Sequence, residues 1–359
     1  MFRIVGAVTL ALLAAAWSAD AATLTATQAN LTAVWKAARP GDEISVSGPI
    51  TGPFAGISKA APGVKIVAEP GASIEPDPRS GWFFASGIEG VRFVGFAVHT
   101  LMQFNGRDGP CARVTLDDMD FSTPKAGIQF RECLNADPAD WVSVLNSRFR
   151  GGSNGVGAIR VRGLNVLGNS FTDNPADAIQ LGVLGDVRIE GNSFTNFRGE
   201  PLHRDAIQLI AADQTVPITN VVIRGNRLER GDGIPAQFIF LSDSAQGYDL
   251  LWVEGNVAFG PSFHGITVNM PIRATIENNF LQADARLWNG QLLVPWIKPM
   301  NVPKGAVVMV RNNTLPSAAA PDDRKALTAW MKRAPLAALV SPYMLTSAVP
   351  GIPPKAPKR

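Results

Sequence analysis

Three short segments share one spacing of groups able to move protons. PADAIQL, HRDAIQL and FHGITV place Asp177, Asp205 and His264 two residues ahead of Ile179, Ile207 and Ile266. If those isoleucines are equivalent, two carboxylates and an imidazole fall on one line, close enough to perturb one another's ionisation. The chain has only 3 histidines. His203 joins His264 in this group, and imidazole is the one side chain that titrates near neutrality unaided. Such a set suits general acid–base work on a bond with an ionisable or acidifiable neighbour.

The same register adds polar groups around the line. Two residues ahead of Ile239 stands Gln237. One residue beyond each isoleucine, outward by alternation, come Gln180, Gln208, Phe240, Thr267 and Lys298, preceded by Gln103, Gln129 and Arg160. Arg160, Arg204 and Lys298 can meet carboxylates. Gln180, Gln208 and Gln237 can meet sugar hydroxyls, although stacked glutamines also form an amide ladder. Tyr248, Trp288 and Trp296 are candidate stacking platforms that could equally be core. An Asp ahead of a strand also caps backbone amides, a reading that competes most strongly for Asp177. His99 lies off the line and reads as structural.

What must position these groups is a repeat. LNVLGNSF, VRIEGNSF, VVIRGNRL, LWVEGNVA, ATIENNFL and VVMVRNNTL follow one another, with weaker copies around Phe93, Leu116 and Val144. Marked on the second apolar residue, the steps are 23, 28, 22, 23, 34, 30, 23 and 34 residues. Each copy alternates apolar and polar residues, as a half-buried strand does. The recurrent Asn169, Asn192, Asn226, Asn256, Asn279 and Asn313 fall where the chain turns, tolerate left-handed backbone and can bond the next copy's amide. They read as structural. A second strand lies between copies: LMQF, GIQF, AIRV, AIQL, AIQL, FIFL, GITV and WIKP. The expectation is an all-β, single-domain solenoid of about ten turns, each strand pairing in parallel with its copy one turn on.

Thr27 is placed to cap a helix with Leu31, Val34, Trp35 and Ala38 on one face, ended by Pro40-Gly41, that covers the N-terminal end. DDRKALTAWMKR after Pro321 reads as a second, short helix folding back on the last turn or side, followed by a Pro- and Lys-rich tail. The division is 1–21, 22–316 and 317–359. Residues 1–21 carry Arg3, an apolar run over 4–16 and Ala19-Asp20-Ala21, the pattern of a signal peptide, so a secreted or periplasmic protein is expected. The run is too short for a membrane span. The 2 cysteines, Cys111 and Cys133, one turn apart, are expected to pair.

Only 18% of residues are charged, while Gly (34) and Pro (27) are plentiful, which disfavours long salt-bridged helices. A hydrophobic content of 46% excludes a disordered chain. A scattered net charge of +3 does not point to nucleic acid. The longest turns carry insertions at 195–204, 211–220, 229–236 and 242–249, suited to walling a groove.

The repeat and the PGDEISV entry after the first helix resemble right-handed parallel β-helix proteins of the pectate-lyase-like superfamily, including chondroitinase-B-like and alginate-lyase-like members. Asp177-Ala178-Ile179, Asp205-Ala206-Ile207 and His264-Gly265-Ile266 resemble the groove of polygalacturonase-type hydrolases, though a single Asp205 stands for a paired aspartate and the Gln237 turn is extra. His203, Asp205, His264 and Gly265 also resemble uronan C5-epimerases, and a lyase-type lysine–arginine motif has no match. The resemblance implies an acidic polysaccharide as partner, cleaved by a monomeric enzyme with Asp205, His264, His203 and Asp177 as catalytic groups. β-Elimination is favoured slightly over hydrolysis, with a C5-epimerase or a non-catalytic glycan-binding solenoid as alternatives. No cofactor is required. Calcium could be held by Asp177, Asp205, Asp232 and Asp243, without a dedicated loop motif.

Overall fold

A computed structural model describes residues 21–122, 127–152, 154–198, 204–210, 215–242, 246–283 and 294–315. Residues 1–20 of the segment expected as a signal peptide, the C-terminal helix and tail, His203, Trp288 and Asp243 lie outside the described residues.

The chain winds as a parallel solenoid with three faces. On the first face the nine markers read from the sequence stack in one line: Phe93, Leu116, Val144, Val166, Ile189, Ile223, Val253, Ile276 and Val310 are successive partners. The line extends back through Ile66 and Ile44 to Leu24. The second face stacks Met102, Ile128, Val156, Ile179, Ile207, Ile239, Ile266 and Ile297. A third face was not anticipated: short strands such as Ser193–Thr195 form a separate 10-stranded sheet among the described residues. LNVLGNSF is therefore two strands joined by a corner. With 10 strands on that face, the coil makes about 9 turns.

The corner explains the repeated Asn. The left-handed residue is the one before it, Gly168, Gly191, Gly225, Gly255, Asn278 or Asn312, with φ between 55° and 67°. The ladder Asn instead supplies its amide inward. Asn226 Oδ1 accepts from Asn192 N at 3.0 Å and from Asn192 Nδ2 at 2.9 Å, and its own Nδ2 donates to Ile189 O and Asn256 Oδ1. This satisfies backbone groups that the turn removes from the strand ladder and from water. Beside the corner, Phe121, Phe149, Phe171 and Phe194 stack with centroids 4.5, 4.7 and 5.1 Å apart, filling the core turn by turn.

At the N-terminal end a strand, Thr23–Ala26, precedes the helix Leu31–Ala37. Thr27 is not the cap. Asn30 holds the N-cap position, and its Oδ1 accepts from Thr27 N at 2.7 Å. Leu31 and Trp35 are fully buried, with Trp35 5.6 Å from Phe54 and 5.8 Å from Phe93. Cys111 and Cys133 form a disulfide between neighbouring turns, Cα–Cα 5.0 Å.

Candidate functional site

The second face carries the candidate site, and its register fixes most of the outward column. Gln103, Gln129, Gly157, Gln180, Gln208, Phe240, Thr267 and Lys298 are successive partners. Arg160 does not belong to it. The strand Val156–Leu167 is irregular between Ile159 and Val161, where Arg160 adopts φ 55° and projects exposed. AIRV was read three residues out of step, because Val156, not Ile159, is the equivalent of Ile179. The residue in line with Asp177 is consequently Asn154, two before Val156.

The N-terminal half of the column is a hydrogen-bonded polar strip. Asn154 Nδ2 donates to Gln180 Oε1 at 3.2 Å. Gln180 Nε2 donates to Gln208 Oε1 at 2.9 Å and to Asp177 Oδ2 at 2.7 Å. Asp177 Oδ1 accepts from Asp205 N at 2.8 Å. Both carboxylate oxygens of Asp177 thus hold neighbouring groups, one of them the first backbone amide of the next strand, Asp205–Ile210.

Asp205 stands opposite Gln237 in the ladder and is fully buried. Gln237 is half-buried, and its Oε1 is enclosed without a hydrogen-bond partner among the described residues. Arg204 is 3% exposed; its Nε donates to Pro175 O and its carbonyl accepts from Gln237 N. It ties the approach to one strand to the turn before it and presents little surface to a ligand. Tyr248 corrects the stacking expectation outright. It is fully buried, and its hydroxyl donates to Ser242 O at 3.0 Å or Leu209 O at 3.2 Å, so neither ring face meets solvent. Of the aspartates considered for calcium, Asp232 is bonded by Arg198 at 2.9 and 3.1 Å, which holds its carboxyl below the usual range.

The C-terminal half of the column differs in chemistry. His264 is half-buried between Phe240 and Trp296, edge-on to each, with centroids 5.0 and 4.8 Å away. Phe263 stacks on Trp296 at 5.8 Å. His264 Nδ1 lies 3.0 Å from Thr267 Oγ1, which also accepts from Trp296 Nε1 at 3.1 Å. Exposed Lys298 places Nζ 6.0 Å from the Trp296 centroid, a cation–π contact. Gly265 is required here by close approach. A Cβ would lie 2.4 Å from Leu281 Cδ1 and 2.9 Å from Trp296 O, so a larger residue would push the His264 turn off the next coil.

Phe240 and Thr267 were read in the outward column without a role, and Phe263 was not among the expected site residues. The signal was present in FHG and WIKP on adjacent turns, where an aromatic lies within two residues of each ionisable group. His99 pairs with Glu75 at 2.7 Å, away from the second face.

This backbone and its corner ladder define a right-handed parallel β-helix. A family model described as right handed beta helix region matches residues 103–281, which span both halves of the outward column as far as Thr267. A search of curated protein sequences gives no match. Among the described residues no helix is long and apolar enough to cross a membrane. Among the same residues no group of three or more His, Cys, Asp and Glu could hold a metal ion.

Proposed function

We propose that the protein acts on a uronic-acid-containing polysaccharide laid along the second face, and cleaves it by β-elimination at the His264 end. The observation that carries this reading is the gathering of an imidazole, an indole and an ammonium group on consecutive turns. From Gln180 to Lys298 the column climbs four turns, about 19 Å at the usual strand spacing, the length of a few sugar rings. Gln180 and Gln208 would meet hydroxyls, and Trp296 with Phe263 would meet an apolar sugar face. Lys298 would neutralise the uronate carboxylate, which acidifies the C5 proton. An imidazole, His264 or His203, or a hydroxide beside it takes the C5 proton as C5–H breaks. The electron pair forms C4=C5, the C4–O bond breaks, and the leaving oxygen takes a proton from an acid or water.

Hydrolysis is supported less. It needs Asp177 to activate water and Asp205 to protonate the leaving oxygen. Asp177 already spends both oxygens on protein donors, and Asp205 is fully buried. The β-helix fold is common to polysaccharide-degrading enzymes, which agrees with the class of substrate but selects no reaction. We further propose export through residues 1–21 and action as a monomer with no required cofactor.

A second reading rests on the continuous amide strip: a glycan-binding solenoid without chemistry. Incubation with a panel of uronic-acid polysaccharides separates them. The expected outcome is new unsaturated-uronate absorbance with shorter chains. Reducing ends without that absorbance mean hydrolysis, altered uronate composition at constant length means epimerisation, and binding with unchanged polymer means the second reading.

A further inference from the structure

We infer that Thr267 is a positioning residue that fixes neutral His264 with its proton on Nε2, so that His264 serves as a hydrogen-bond donor and not as a base. Thr267 lies in the strand Ile266–Asn269 and is 1% exposed. Among the described residues its hydroxyl has two hydrogen-bond partners, Trp296 Nε1 at 3.1 Å and His264 Nδ1 at 3.0 Å.

The direction of both bonds follows from their chemistry. An indole nitrogen only donates, so Trp296 fills one lone pair of Thr267 Oγ1. The hydroxyl hydrogen must then be placed, and burial makes an unplaced one costly. The acceptor left is Nδ1 of His264. A neutral imidazole that accepts at Nδ1 carries its proton on Nε2. The opposite tautomer would aim two donors, Nδ1–H and the indole N–H, at Thr267 and strand the hydroxyl hydrogen in a buried place. The same bond favours the neutral ring over the imidazolium, because Nδ1–H would displace it.

The chemical meaning of this tautomer rests on the elimination proposed above. With Nδ1 occupied and Nε2 protonated, His264 has no lone pair to take the C5 proton. It can instead donate from Nε2 to the uronate carboxylate, sharing with Lys298 the charge that builds there as C5–H breaks. His264 then neither gains nor loses a proton in the step. Of the two imidazoles offered by the sequence, His264 becomes the electrophile, and the C5 proton passes to the other, His203, or to hydroxide from solvent.

The test is a long-range proton–nitrogen correlation spectrum of the 15N-labelled full chain, recorded above the titration of its histidines. His264 is assigned by comparison with His264→Gln. The expected pattern is a protonated Nε2 and a bare Nδ1, and it needs no variant at Thr267. A protonated Nδ1 in the native protein overturns the inference. Thr267→Val should release the fixed tautomer, with protonation spreading to Nδ1, and Thr267→Ser should restore it; a Val variant that keeps the single tautomer of the parent also overturns it. On a cleaved polymer, His264→Ala should lower kcat about 100-fold, as for loss of one charge-stabilising donor. His264→Gln should recover part of that loss, because its amide N–H can still donate; equal loss in both would restore His264 to the role of base. If the tautomer is as expected but no uronan is cleaved, the elimination reading fails and the tautomer assignment stands.

Discussion

Two lines of side chains run along this solenoid, and they age differently from turn to turn. At the corner, Asn169, Asn192, Asn226, Asn256, Asn279 and Asn313 repeat one residue and one bonding pattern through the coil. On the second face, the outward column changes from glutamine to phenylalanine, threonine and lysine over five turns. These six corners present the same problem, a left-handed residue that leaves backbone donors without strand partners, and the same side chain answers it. The earlier corners after Gly95, Asp118 and Asn146 carry Phe96, Met119 and Ser147 instead. The outward column carries no such duty at its C-terminal end. Where backbone demand lapses, residue type is free to follow a ligand. Asp177 shows the boundary: it lies beside the column, bonded by Gln180, yet serves a backbone amide, Asp205 N, as the corner asparagines do.

The largest effect should come from breaking the repeated line. Asn226→Ala removes four hydrogen bonds and leaves Asn192 N and one hydrogen of Asn192 Nδ2 enclosed without acceptors, the other hydrogen keeping its bond to Val166 O. The expected loss is about 3 kcal/mol, from the cost of buried polar groups left unsatisfied. It should appear as a lower urea midpoint at unchanged slope, while folded protein keeps its polymer affinity. An unchanged midpoint would mean that the ladder follows the corner and does not hold it.

The contrast also explains how much was legible in the sequence. All nine first-face markers stack as their spacing implied, because alternation and a fixed corner residue together set the register. The third face was missed because its strands are as short as Asp120–Phe121, too short for period two to show. Arg160 was misplaced by a local bulge, which shifts a strand without altering its apolar pattern. In the site, the Ile207, Ile239 and Ile266 alignment was readable from the isoleucines alone. Burial was not readable. Asp205, Arg204 and Tyr248 are polar residues on long turns, and whether such a turn folds over them depends on contacts far apart in the chain.

At the variable end, substitutions should spare stability and change binding. Trp296→Ala should weaken polymer affinity about tenfold, the worth of one well-placed aromatic face, measured by titration calorimetry with a non-cleavable oligomer. Lys298→Met should weaken it about fivefold at low salt, with the difference shrinking as salt rises, because the ammonium is exposed and screened. A salt-independent loss at Lys298 would assign its contribution to packing on Trp296 and remove the argument for a carboxylate ligand.

The smallest effect should come from a third line, which lies between the other two in character. On the first face, Glu190, Arg224, Glu254, Glu277 and Arg311 are successive partners one residue before the corner. Arg224 bonds Glu190 at 2.9 Å and Arg311 bonds Glu277 at 2.6 Å. Burial pushes Glu254 above the usual carboxylate range; Arg224 opposes this, while Glu277 and Glu190 add to it. A raised folded value means that the folded chain binds the proton more tightly than the unfolded one. Stability therefore falls as pH rises from the unfolded value, near 4.5, through the raised folded value, and levels off above it. Glu254→Gln should flatten that slope and stabilise the protein slightly at neutral pH, with no change in polymer affinity. Thermal unfolding of both proteins across pH 4 to 8 is the measurement, with that window taken as roughly the span between ordinary and raised carboxylates. A variant less stable than the parent at neutral pH would show that Glu254 is held there by Arg224 in its charged form, as the ion pairs on either side of it are.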